Sequence, residues 1–231
     1  MDDLTRFDTL TFDCYGTLID WEAGILAALR PVLAAHGVRA AAGDDDLLAS
    51  HARHESRLEA GEYRPYREIL RGVLEGIGAD HGFTPTEAER DAFAASVGDW
   101  PAFSDTVDAL RRLKARFRLV VLSNVDDDLF ARTAERLGTA FDAVITAQQV
   151  GAYKPAHAHF LRAEAQLGLR KDRWLHVAQS RYHDVVPANT LGIASCLVDR
   201  RHRATPSADA ARPDLVVPDL KTLAELASAE P

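Results

Sequence analysis

Two carboxylates and an ammonium in this chain stand where they could share one reaction. Asp13 closes the apolar, β-branched run Thr9-Leu10-Thr11-Phe12, and Gly16 follows three residues later. Such a run reads as a buried strand, and a carboxylate at its carboxyl end lies where open α/β sheets bind ligands. There it can act as a nucleophile and form a covalent intermediate. Lys154 precedes Pro155, which keeps its backbone out of a helix. Its ammonium can hold two negative groups close together, here Asp13 and an anionic substrate. Asp184 follows the run Trp174-Leu175-His176-Val177-Ala178 and opens a helix. An aspartate there caps the helix or, inside a crevice, orients Lys154 or a water. Ser123 ends another strand-like run and could hydrogen-bond an anionic group or cap a turn near Asp126, Asp127 and Asp128. His159 and His183 are further crevice candidates, although a lone histidine is more often structural.

These residues need a scaffold that brings strand ends together. Strand-like runs occur at 9–14, 119–123, 143–145, 174–178, 193–198 and 215–217. Helical periodicity fills 104–116, 127–138, 156–168, 183–191 and 219–228. That alternation predicts an α/β fold, a parallel sheet with helices on both faces. Asp13 with Thr17, Ser123-Asn124, Lys154-Pro155 and the stretch Gln179 to Asp184 then fall at successive strand ends. In a parallel sheet those points converge on one crevice.

Residues 20–99 break the alternation. They read as amphipathic helices near 21–36, 44–60, 65–81 and 85–98, punctuated by Gly37, Gly43, Gly61, Pro65, Gly82 and Pro85. The expected organisation is a core from 1–19 and 100–231, with 20–99 inserted as an all-helical cap. The root of the insertion lies beside Asp13. The cap is therefore expected to cover the crevice, with apolar walls from Trp21, Leu58 and Tyr66 and an arginine, Arg53 or Arg57. The stretch 200–207 reads as a solvated loop.

The chain has 231 residues, 47% of them hydrophobic, enough for a sizeable core. A net charge of -8 argues against nucleic acid or an anionic membrane as partner. An anionic substrate would have to be attracted by local groups. The two cysteines, Cys14 and Cys196, sit in apolar runs, which predicts buried thiols and a reducing cytoplasm. The N-terminal stretch lacks a signal-peptide profile, and no apolar run is long enough to span a bilayer.

Together these residues resemble the haloacid dehalogenase superfamily. The resemblance rests on Asp13-Cys14-Tyr15-Gly16-Thr17-Leu18, strand-Ser123-Asn124, Tyr153-Lys154-Pro155 and Asp184, in family order and spacing. Within it the chain looks most like the L-2-haloacid dehalogenases, which have a Rossmann-like core and a helical cap inserted after the first motif. The resemblance implies that Asp13 attacks C2 of a 2-haloalkanoic acid and forms an ester, which water hydrolyses. Thr17 and the backbone after Asp13 would position the nucleophile, Cys14 and Tyr15 would meet the substrate, and Ser123 and Lys154 would bind the substrate carboxylate or balance charge. Asp184 and Asn124 would orient Lys154 or the water, Gln179 and His183 would meet the substrate, and a cap arginine, Arg53 or Arg57, would hold the halide.

The superfamily's phosphatases carry a second aspartate where this chain has Tyr15, and that aspartate protonates a leaving alkoxide. They also hold Mg²⁺, partly through a Gly-Asp where this chain has Ala178-Gln179. A halide needs no proton to leave, so both departures predict a site with no metal and no cofactor. The last motif, Gln179-Ser180-Arg181-Tyr182-His183-Asp184, keeps only Asp184 in register with the dehalogenase pattern, and Phe160 stands where a tyrosine is common. The alternatives are a Mg²⁺-dependent phosphatase or phosphonate hydrolase of the same fold, and a member that binds a ligand without turnover. The resemblance favours a homodimer.

Overall fold

The structure, a computed structural model, describes residues 4–38, 43–200 and 212–228. Six strands form one sheet: β1 (Thr9–Phe12), β2 (Arg118–Ser123), β3 (Ala143–Thr146), β4 (Trp174–Ala178), β5 (Ala194–Val198) and β6 (Leu215–Val217). Their order is β3-β2-β1-β4-β5-β6, and every neighbouring pair is parallel. The chain leaves β1 for β2 on one side and later returns past β1 to β4 on the other. The carboxyl end of β1 is therefore the switch point of the sheet, where the crevice opens.

The central strands are short and almost wholly buried, as expected where helices cover both faces. Side chains alternate between two apolar layers. Leu119, Val121, Leu175 and Val177 pack on one side with Leu10 and Phe12. Val120, Leu122, Ile145, Phe160 and Trp174 pack on the other. The expected α/β architecture is present, and both cysteines are free and buried. Among the described residues no helix is long and apolar enough to cross a membrane.

Between β1 and β2 run α1 (Trp21–Ala35), α2 (Asp44–Glu59), α3 (Tyr66–His81), α4 (Glu87–Ala95) and α5 (Thr106–Lys114). Local chemistry sets several ends. Asp20 caps α1 through Ala23 N at 3.1 Å. Thr86 and Glu89 form a reciprocal capping box on α4. Gly82, with φ +76°, closes α3 in the left-handed conformation. The sequence suggests a helix near 85–98. The structure has α4 only to Ala95, followed by a 3₁₀ turn over Ser96–Asp99.

The start of α3 has no side-chain cap of its own. Asp126, in the loop after β2, supplies one from sixty positions away and accepts from Tyr66 N at 2.8 Å and Arg67 N at 2.9 Å. Tyr153 reinforces this with a bond from its hydroxyl to the Arg64 carbonyl at 2.7 Å. These contacts fix the helical insertion against the sheet's carboxyl edge. The later elements are α6 (Asp127–Leu137), α7 (Ala147–Val150), α8 (Ala158–Leu167), α9 (Val186–Thr190) and α10 (Leu220–Ser228). Five residues, Arg181–Val185, form a π turn before α9.

Candidate active site

Asp13 emerges from β1 with its backbone N–H bonded to Val177 O of β4 at 3.1 Å. Each carboxylate oxygen has one partner. Lys154 Nζ donates to Oδ1 at 2.9 Å, and Thr17 Oγ1 donates to Oδ2 at 2.7 Å. Thr17 in turn accepts from Gln179 N at 2.9 Å, which joins the first and last motifs. The turn needs Gly16, whose φ is +98° and whose Cβ would meet Gln179 Oε1 and Trp21 Nε1 at 3.2 Å.

Lys154 is 2% exposed, and its three donors are all satisfied: Asp13, Asp184 Oδ1 at 2.6 Å and the Leu122 carbonyl at 2.9 Å. Asn124 holds the lysine's backbone on both sides, accepting from Lys154 N at 2.7 Å and donating to Lys154 O at 3.2 Å. Burial would lower the ammonium's pKa, but the two carboxylates outweigh it and raise it. Asp13 and Asp184 move in opposite directions. Burial, reinforced by the charge of Asp184, raises Asp13 above the ordinary aspartate range against the pull of Lys154. Burial also opposes ionisation of Asp184, but Lys154 and the His176 hydrogen bond hold it well below that range. The pair thus has one carboxylate that is firmly ionised and one of raised basicity.

These groups open into a cavity of about 290 Å³. Its floor is Asp13, Lys154, Asp184 and Asn124, with Gln179, Ser180 and His183 at one side. Tyr15, Trp21, Tyr66 and Trp100 provide aromatic walls. Trp100 approaches because position 24 is glycine; a side chain there would overlap its ring. The roof is one face of α2: Ala52, Glu55, Ser56 and Glu59. Tyr66 donates its hydroxyl to Glu55 at 2.6 Å. Burial, together with the neighbouring Glu55, pushes the Glu59 carboxyl up to about 9. The roof therefore presents an acid that keeps its proton at neutral pH.

The residues singled out in the sequence do not all meet here. Asp13, Tyr15, Asn124, Lys154, Gln179, His183 and Asp184 line the cavity, and Thr17 supports Asp13 from behind. Tyr15 turns its hydroxyl away, to Thr133 Oγ1 at 3.0 Å. Cys14 packs into the core, and Ser123 is fully buried outside the lining, with no partner for its hydroxyl. His159 is also buried outside the lining, its Nε2 at 3.1 Å from Ser123 O.

The arginine expected in the cap is absent from the pocket. Arg53 pairs with Asp80 and Ser50, and Arg57 contacts His54. Residues two apart on a helix point roughly 200° away from each other. With Glu55 and Glu59 facing in, Arg53 and Arg57 face out. Leu58 lies against Gly72 rather than in the cavity wall, whereas Trp21 and Tyr66 stand where expected. Arg200 is a second correction. The sequence suggests a solvated loop over 200–207, but the Arg200 side chain is buried against Phe103, with Nε donating to Thr17 O at 2.8 Å and Nη1 paired with Asp105 at 2.9 Å. The remainder of that segment, from residue 201 onward, lies outside the described residues.

Sequence reasoning missed Glu55, Glu59 and Trp100. The four-residue spacing of the glutamates is a usable signal for one helix face. The arginines, at the same spacing, send the identical signal. The cavity offers a poor magnesium site. Among the described residues no cluster of three or more His, Cys, Asp or Glu is arranged to hold a metal. Both oxygens of Asp13 and Oδ1 of Asp184 already have donors, which leaves Asp184 Oδ2 as the one oxygen of the two carboxylates without a partner. Mg²⁺ demands several well-placed oxygen ligands.

A buried aspartate held by lysine and threonine thus stands at the switch point of a parallel sheet, under a helical roof. The chain belongs to the haloacid dehalogenase-like hydrolases, whose family pattern matches residues 7–180. It is 26% identical over 227 residues to an (S)-2-haloacid dehalogenase of Pseudomonas fluorescens, covering 94% of this chain and 93% of that one. It is 30% identical to a phosphoglycolate phosphatase of Caulobacter vibrioides, over 82% of this chain and 78% of the other. The fold also matches that of a crystallised defluorinating L-2-haloacid dehalogenase, with a TM-score of 0.82, 24% identity and 96% of each chain covered.

Proposed function

We propose that this hydrolase displaces halide from a small 2-haloalkanoic acid through an ester on Asp13, without a metal ion. The observation that carries the reading is the Asp13 environment: a carboxylate of raised basicity, held by Lys154 and Thr17 and lining a cavity beside Tyr15, whose hydroxyl is committed to Thr133. The dehalogenase relatives support the same reading. One Asp13 oxygen bonds to C2 of the substrate as the carbon–halogen bond breaks, and the halide leaves with the bonding pair. Lys154 keeps Asp13 ionised and shares its charge with Asp184, while Thr17 fixes the carboxylate's plane.

Ester hydrolysis regenerates the enzyme. A water oxygen adds to the Asp13 carboxyl carbon, the alkyl oxygen departs carrying one proton of that water, the other proton is released to solvent, and the carboxylate is restored. Asp184 orients the water rather than deprotonating it, since its ionised form is strongly stabilised. With no arginine among the described residues that line the pocket, the substrate's non-reacting end meets aromatic rings and a protonated Glu59.

A second reading is phosphate-ester hydrolysis. The proton on Glu59 favours it, because a leaving alkoxide needs a donor. Halide and phosphate release from 2-chloropropionate, 2-fluoropropionate and phosphoglycolate, each with and without EDTA, tests both. Halide release that survives EDTA is the expected result. Phosphate release restored by Mg²⁺ overturns it.

A further inference from the structure

His176 sits in the middle of β4, fully buried, with Phe160 edge-on at 4.8 Å. A polar ring in that position needs partners on both nitrogens, and it has them. Nδ1 lies 2.8 Å from Thr11 Oγ1, its neighbour across the sheet in β1. Nε2 lies 3.0 Å from Asp184 Oδ1.

The direction of these bonds follows from a third residue. Trp174 Nε1 is 2.7 Å from the same Thr11 oxygen. An indole N–H only donates, so Thr11 accepts from Trp174. The threonine's own proton then has one acceptor at hand among the described residues, His176 Nδ1. The ring therefore carries its proton on Nε2 and gives it to Asp184. The chain runs one way: Trp174 to Thr11, Thr11 to His176, His176 to Asp184.

At its end, Asp184 Oδ1 receives both His176 and Lys154. Oδ2 is buried and has no partner among the described residues, and Asp184 lines the cavity. Two donors converging on one oxygen fix the carboxylate's rotation and leave the other oxygen available. The charged and titratable groups around this carboxylate are His176 from β4, Lys154 from the loop before α8, Asp13 at the end of β1, and buried His159 from α8, with His183 lining the same cavity.

We propose that His176, held as the Nε2–H tautomer by Trp174 and Thr11, is a positioning residue that clamps Asp184 so that Oδ2 accepts a hydrogen bond from the water attacking the Asp13 ester. The role rests on the hydrolytic reading above. His176 touches neither substrate nor reacting atoms. Its effect falls on ester hydrolysis and spares ester formation, in which Asp184 needs only its charge.

Two measurements test this. In protein labelled with ¹⁵N-histidine, the His176 ring should show an unprotonated Nδ1 and a protonated Nε2 at neutral pH. An Nδ1–H tautomer or a doubly protonated ring overturns the assignment without reference to any substrate. In single turnover with 2-chloropropionate, His176→Phe should slow ester hydrolysis by about 10–100-fold, the usual cost of losing a supporting hydrogen bond of this kind. The alkylated Asp13 peptide should then accumulate while its formation rate changes little. His176→Gln, which keeps an N–H donor, should recover part of the loss. Thr11→Val serves as the second variant and should reproduce the step-specific defect if His176→Phe fails to fold. Equal slowing of both steps, or of neither, overturns the role. Wild-type protein that forms no ester overturns the dehalogenase reading and this role with it. Wild-type protein that turns over, with hydrolysis undisturbed in the variants, overturns this role alone.

Discussion

Lys154 Nζ lies 2.9 Å from Asp13 Oδ1, with both side chains buried and 141 positions apart in the chain. The ammonium makes it possible to keep one buried carboxylate ionised beside a second in a protein of net charge -8. It also sets how the site should respond to change.

Asp13→Asn should keep the fold and lose turnover by roughly four orders of magnitude or more. The amide can still accept from Lys154 but is a poor nucleophile. Single turnover of the native protein in H₂¹⁸O should place the label first in Asp13; label appearing directly in the first product would defeat the covalent mechanism. Because the Asp13 pKa is raised, the rate of ester formation should fall on acidification at a pH above the ordinary aspartate range.

Lys154→Ala leaves two buried carboxylates facing each other without a cation. A cost of about 3–5 kcal/mol in stability is expected, along with slower ester formation. Lys154→Arg should recover only part of both, since a planar fork cannot reproduce three bonds from one nitrogen. Urea melts and burst kinetics on the same preparations separate the two effects.

Glu59 supplies a pH test whose sign is fixed. The native carboxyl binds its proton up to about 9, whereas the unfolded side chain does so only near 4.5. Between those limits the folded chain holds more protons, so stability falls as pH rises. Glu59→Gln removes that loss. Its Tm should match the wild type near pH 4 and exceed it increasingly as the pH approaches about 9. A constant offset across the range would mean that Glu59 is ionised in the native protein.

Arg53→Ala and Arg57→Ala should leave halide release within about twofold of wild type, because exposed ion pairs contribute little and neither residue reaches the cavity. Glu59→Arg places a cation in the roof and should lower KM for a haloacid carboxylate. Ion chromatography of released halide reads both. A large loss in either arginine variant would show that α2 presents a different face during turnover.

The sequence alone determined the parts of this protein that depend on period and order. A short β-branched run ending in Asp13 could only be a strand end, and the alternation of strands with helices required a parallel sheet. Parallel strands align their carboxyl ends, which brings the segments holding Asp13, Asn124, Lys154 and Asp184 to one edge. The same logic gave the helical insertion after Asp13.

Tertiary structure decided what periodicity leaves degenerate. Glu55 and Glu59 share their spacing with Arg53 and Arg57, and only the packing of α2 over the sheet selects which pair faces Asp13. Ser123 sits at a strand end and His159 in the first turn of α8, but both side chains are buried away from the cavity. Asp126, Arg200 and His176 find partners 60, 95 or 165 positions away, from Tyr66 to Asp105 to Thr11. No local pattern encodes such pairings, because hydrogen-bond direction and burial are settled only once the strands lie side by side.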